Sequence, residues 1–138
     1  MADTMLNNAT TGDYFNYLTE NIDAQKVFAF SGLSVTDAEK LAQKIRSYTT
    51  REVISVPFSR VAEVIDESKA KCGDLALIDL FIQGFGQKLV IFIKEFETFK
   101  SYPDKELFYS VLRVNIDALV VLTGNDIREV AKELLRNV

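Results

Sequence analysis

The stretch Lys26-Val27-Phe28-Ala29-Phe30-Ser31-Gly32-Leu33-Ser34-Val35-Thr36-Asp37-Ala38-Glu39 decides how this chain is read. Lys26 to Phe30 is a short apolar run of the kind buried in parallel sheets, and Ser31-Gly32 turns the chain sharply. Thr36 with Glu39 three residues later forms a capping-box pattern, and Ala38, Leu41, Ala42 and Ile45 recur at helical spacing to about Tyr48. A strand, a glycine turn and a helix N-terminus are the setting in which backbone N–H groups receive a phosphate. A phosphate-binding loop also needs a second glycine, a lysine and a hydroxyl residue in sequence after the first glycine. Asp37, Ala38 and Glu39 stand at those three places. The layout of a nucleotide site is kept while the residues that bind the nucleotide are missing.

Outward from this unit, the N-terminal residues 1–12 read as a disordered polar tail, and 13–138 as a single domain. Asp13 can cap a helix carrying Tyr14, Phe15, Tyr17, Leu18 and Ile22. Glu52 to Val56 is β-branched and stops before Pro57, which predicts a second strand, and Ser59 opens a helix with Val61, Val64 and Ile65. The segment from Asp74 to Phe85 is ambiguous by periodicity; Leu77, Leu80 and Phe81 favour helix, ended by Gly84 and Gly86. Leu89 to Ile93 is a buried strand. A helix over Glu106 to Leu112, a strand over Ala118 to Leu122 and a final helix over Ile127 to Leu135 complete the chain. Four apolar strands alternating with helices predict an α/β three-layer sandwich with a mainly parallel sheet, because each parallel crossover needs a helix. The layout is that of a P-loop NTPase without a functional P-loop.

The 138 residues suffice for one core, and the net charge of −4 gives no general attraction to nucleic acid. With no histidine and one cysteine, the commonest zinc sites and histidine-based nucleophilic triads cannot be assembled from this chain. The single Cys72 and the polar N-terminus point to the cytoplasm, and Leu75 to Phe96 is too interrupted by polar residues to span a bilayer. No cofactor, metal or nucleotide is expected.

At the end of the strand Leu89 to Ile93, hydrolytic versions of the layout place an aspartate for Mg²⁺ followed by a base. Lys94 and Glu95 occupy those places. A nuclease reading would use Asp74, Asp79 or Glu95, but its carboxylate two positions before the lysine is replaced by Phe92. Phe96, Phe99 and Tyr102 with Lys94 and Lys100 interleave aromatic and basic residues, the pattern of a single-strand stacking site. Leu80, Phe81 and Phe85 beside two glycines are either core or an exposed hydrophobic plug, and exposed they would mark a partner site.

The order of elements and the run Leu80-Phe81-Ile82-Gln83-Gly84-Phe85-Gly86-Gln87-Lys88-Leu89-Val90 resemble the N-terminal domain of the δ subunit of bacterial DNA polymerase III clamp loaders. Pro103-Asp104-Lys105-Glu106-Leu107 and Asp117 to Gly124 are similar to the helix and strand that follow in that family. The resemblance covers about residues 13–135. It implies an AAA+ type fold that binds no ATP and opens a sliding clamp with a Leu-Phe pair. By position that pair is Leu80-Phe81, with Phe85 as the second choice. The function expected is therefore a non-catalytic protein-interaction module whose partner is a sliding clamp or a replication ATPase. A degenerate metal-dependent restriction-type nuclease and a self-associating regulatory domain are the rival readings.

Overall fold

The computed structural model of the chain describes residues 5–7, 9–67, 89–114 and 118–138. Its strands are β1 (Met5–Asn7), β2 (Val27–Ser31), β3 (Glu52–Pro57), β4 (Leu89–Lys94) and β5 (Leu119–Gly124). The helices are α1 (Thr11–Glu20), α2 (Val35–Tyr48), α3 (residues 58–67), α4 (Lys105–Val114) and α5 (Arg128–Asn137), with a 3₁₀ helix η1 (Phe96–Ser101) after β4. The strands form one sheet in the order β1-β2-β5-β4-β3, and every pairing is parallel. This is the α/β three-layer sandwich expected from the sequence. β1 adds a fifth strand from within residues 1–12, which had been expected to form a tail; three residues are too few to show a period.

Side-chain alternation along the strands divides the core into two layers. Phe28, Phe30, Val53, Val90, Phe92, Leu119 and Val121 face α1 and α2, packing on Tyr14, Leu18, Leu41 and Ile45. Ala29, Ile91, Ile93, Val120 and Leu122 face the opposite layer, where Phe58, Val61 and Ile65 of α3, with η1, α4 and α5, cover the sheet. The chain moves outward from β2 through α2 to β3 at the far edge, then returns through β4 to β5. Right-handed connections put the outward helix on one face and the returning helices on the other, which is the division observed.

Local chemistry sets the boundaries. α1 is capped by Thr10, whose hydroxyl accepts from the Asp13 N–H at 3.1 Å while Asp13 accepts from the Thr10 N–H at 3.2 Å. Asp13 thus completes a capping box three residues into the helix and does not itself cap it. α2 is capped by Ser34, which accepts from the Asp37 N–H at 3.1 Å, in place of the expected Thr36. Gly32, at φ 82°, takes the left-handed turn that lets the helix start that early.

Phe96, Phe99 and Tyr102 recur every three residues, which is the repeat of a 3₁₀ helix and brings them onto one side. Phe96 and Phe99 stack with centroids 4.8 Å apart, and Phe99 and Tyr102 at 6.1 Å. Phe58 meets Phe96, Phe99, Tyr102 and Phe108 edge-on at 5.3 to 5.5 Å. All of these rings are buried, so the single-strand stacking pattern at Phe96, Phe99 and Tyr102, already weakened by the acidic Glu95, Glu97 and Asp104, forms no such site: the aromatics are core. Among the described residues, no helix is long and apolar enough to cross a membrane.

Candidate functional site at the carboxyl edge of the sheet

β2 and β5 are neighbours whose chains leave the sheet in opposite directions, β2 into α2 on one face and β5 towards α5 on the other. In open α/β sheets, ligands bind outside the carboxyl ends of strands at such a switch point. The fold therefore places the candidate site at the loops following β2, β5 and β4.

The turn after β2 is closed by the protein itself. The N–H groups of Gly32 and Leu33 both donate to the Gly124 carbonyl, each at 2.9 Å. The Asp37 N–H donates to the Ser34 hydroxyl, and the Ala38 N–H donates to the Ser34 carbonyl at 2.8 Å. The last two are the ordinary cap and first turn of α2, whereas the bonds of Gly32 and Leu33 take up the first two donors of the turn internally. Ser31, fully buried, ties the same turn to its surroundings: its carbonyl accepts from the Tyr14 hydroxyl and its Oγ accepts from the Ile127 N–H at 3.0 Å.

The two misfit positions read from the sequence meet in space. Lys94, at the end of β4, donates from Nζ to Glu39 Oε2 on the first turns of α2 at 2.6 Å. The Lys94 side chain is 13% exposed and that of Glu39 is 44% exposed, so the pair sits at the rim with its cation largely covered. The hydrogen bond from Lys94 holds the Glu39 carboxyl below its ordinary range despite some burial. The Ser55 hydroxyl on β3 is buried and has no hydrogen-bond partner among the described residues. Glu39 and Lys94 are the positions compared in the sequence with a metal-binding hydroxyl and a metal carboxylate; Glu39 lies within α2, which starts at Val35, and Lys94 ends β4. A lysine ammonium offers no lone pair, so these residues do not fit the Mg²⁺ that the layout uses elsewhere.

Glu95, at the place of the base, is exposed and adopts φ 54°, ψ 42°, a left-handed conformation that starts η1. Glu97, one turn on, clasps the β5–α5 loop by accepting from the Asn125 N–H at 3.0 Å. Gly124 leaves little room there: a Cβ would lie 2.5 Å from Ile127 Cγ2 and 2.6 Å from Glu97 Oε1, so these side chains would have to shift. Beyond this clasp, a cleft of about 490 Å³ opens between η1 and α5. Its charges are of both signs, Glu97, Asp126 and Glu129 facing Lys100, Arg128 and Lys132, and Asp126 holds Arg128 in a two-pronged pair at 3.0 and 3.2 Å. The cleft does not include Gly32, Glu39 or Lys94.

Leu80, Phe81 and Phe85, the expected partner-binding residues, lie outside the described residues, as do Asp74 and Asp79 of the nuclease reading. Sequence reasoning singled out Asp37 to Glu39 and Lys94 separately, and the structure brings Glu39 and Lys94 together. It missed the carbonyl of Gly124 as the group that occupies the loop donors. Comparison with protein-family models, curated proteins and solved structures returns no match.

Proposed function

We propose that this chain is a non-catalytic protein-interaction module on a nucleotide-binding layout whose ligand place is filled by its own groups. The observation that carries this reading is the Lys94–Glu39 ion pair, because one contact removes both the metal carboxylate and the metal hydroxyl from use. The internal bonds of Gly32 and Leu33 to Gly124 support it by taking up phosphate-directed donors. A fold that retains this arrangement without its chemistry is left with its surface as the working part.

The partner class follows from the resemblance to the clamp-loader δ domain: a sliding clamp or a replication ATPase, in the cytoplasm. The anchor is Leu80-Phe81, with Phe85 as the second choice, since a few buried aromatic and aliphatic groups carry most of the affinity of such contacts. Pull-down of the purified chain with a sliding clamp tests this. Retention that disappears on combining Leu80→Ala with Phe81→Ala is the expected result. Retention unchanged by that double substitution, or no retention of the native chain, would overturn the proposed partner and anchor.

A further inference from the structure

Tyr109 on α4 is 5% exposed, and its hydroxyl is buried with no hydrogen-bond partner among the described residues. Buried polar groups in folded proteins are nearly always paired, and one left alone costs stability that a phenylalanine would not. The ring packs on Phe99 of η1 with centroids 5.8 Å apart. Both rings, with Val130 of α5, line a recess of about 120 Å³. An apolar space of this order takes one ring, as an engineered cavity of about 150 Å³ takes benzene.

The recess adjoins the charged cleft between η1 and α5, and Lys100, Glu129 and Val130 line both. Several of the charges around it are already engaged. Asp126 holds Arg128, Arg136 holds Glu133 at 2.9 Å, and Lys105 donates to the carbonyls of Lys100 and Tyr102 at 2.9 and 2.7 Å. Lys100 and Glu129 are exposed, and neither has a salt-bridge partner among the described residues. An unpaired cation and an unpaired anion thus stand where the cleft meets an apolar recess whose lining includes an unpaired hydroxyl. A ligand of one charge would be attracted by one of the two and repelled by the other, whereas a zwitterion is complementary to both.

We infer that this recess binds a free aromatic α-amino acid, with its carboxylate on Lys100, its ammonium on Glu129 and its side chain between Phe99, Tyr109 and Val130. The Tyr109 hydroxyl donates to an oxygen at the tip of that side chain, which selects tyrosine over phenylalanine. The site goes beyond the partner contact proposed above and shares no residue with it.

The test is titration of the ¹⁵N-labelled chain with L-tyrosine, followed by amide chemical shifts. Saturable shifts centred on Lys100, Tyr109 and Glu129 are expected. L-phenylalanine is expected to bind about fivefold more weakly, for want of one hydrogen bond. N-acetyl-L-tyrosine and L-tyrosinamide each lack one charge and stand for the two ends of a peptide. Each is expected to bind about threefold more weakly than the free amino acid, the scale of an exposed ion pair. Tyr109→Phe removes only an unpartnered hydroxyl and keeps the fold, and it is expected to bind tyrosine and phenylalanine equally. Lys100→Ala is expected to bind tyrosine and tyrosinamide equally. Absence of saturable shifts with L-tyrosine overturns the inference, as does a preference for tyrosine that survives Tyr109→Phe. Binding of N-acetyl-L-tyrosine or tyrosinamide as tight as that of tyrosine overturns the free amino acid as the occupant and assigns the recess to a peptide terminus.

Discussion

Lys94 and Glu39 lie 55 positions apart in sequence and are joined by a 2.6 Å hydrogen bond between a largely covered ammonium and a half-exposed carboxylate. The unequal exposure makes the pair asymmetric. Removing the carboxylate strands a covered cation, whereas removing the cation leaves a carboxylate that already reaches water. Glu39→Ala is expected to lower stability by about 2 kcal/mol and Lys94→Met by about 1 kcal/mol or less, between the limits for buried and exposed pairs. Urea unfolding of both variants checks the order, and a Lys94→Met loss larger than that of Glu39→Ala would contradict it.

The same pair sets an acid limb. The folded-state pKa of Glu39 lies below its ordinary value of 4.5, so the contribution is complete above that value and is lost as pH falls through the folded pKa. Thermal unfolding between neutral and acid pH is expected to show a decline below about pH 4.5 that is shallower in Glu39→Gln.

Tyr102 governs the alkaline side. Burial, with Asp66 and Asp104 nearby, pushes its hydroxyl up from 10.0 to about 12. The folded state then holds a proton that the unfolded chain releases, so stability is intact below pH 10.0 and falls as pH rises from there to about 12. Tyr102→Phe is expected to flatten this limb, since the hydroxyl contributes only a long 3.4 Å contact to Asp66. An unchanged alkaline limb in Tyr102→Phe would assign the effect elsewhere.

Gly124→Ala is expected to destabilise by about 1–3 kcal/mol, the range for overpacking, because its Cβ meets Ile127 and Glu97 at 2.5 and 2.6 Å. In a Glu97→Ala background the same change is expected to cost less, as one of the two close contacts is gone. Additive costs in the double variant would show that the Glu97 clasp does not press on Gly124.

Strands β2 to β5 and helices α1 to α5 were legible in the sequence because buried parallel strands and amphipathic helices leave different periods, whereas β1 and η1 were not. The end of α2 at Tyr48 and the span of β4 show this most clearly. Boundaries that depend on a single cap were not: Thr36 and Ser34 both suit the role, and Gly32's left-handed turn decided for Ser34. Phe96, Phe99 and Tyr102 drew notice only for their interleaving with lysines, and their three-residue spacing, the 3₁₀ repeat that makes them core, was not used. Glu39 and Lys94 were each legible as misfits, but their meeting depends on β5 being inserted between β2 and β4, and strand order leaves no mark on hydrophobic periodicity.

The central claim is that the chain's own groups close the nucleotide place. Its most direct test is titration of the native chain with a fluorescent ATP analogue and Mg²⁺, read by fluorescence anisotropy. The account predicts no saturable rise in anisotropy. A saturable rise that requires Mg²⁺ and is abolished by Gly32→Val would contradict it.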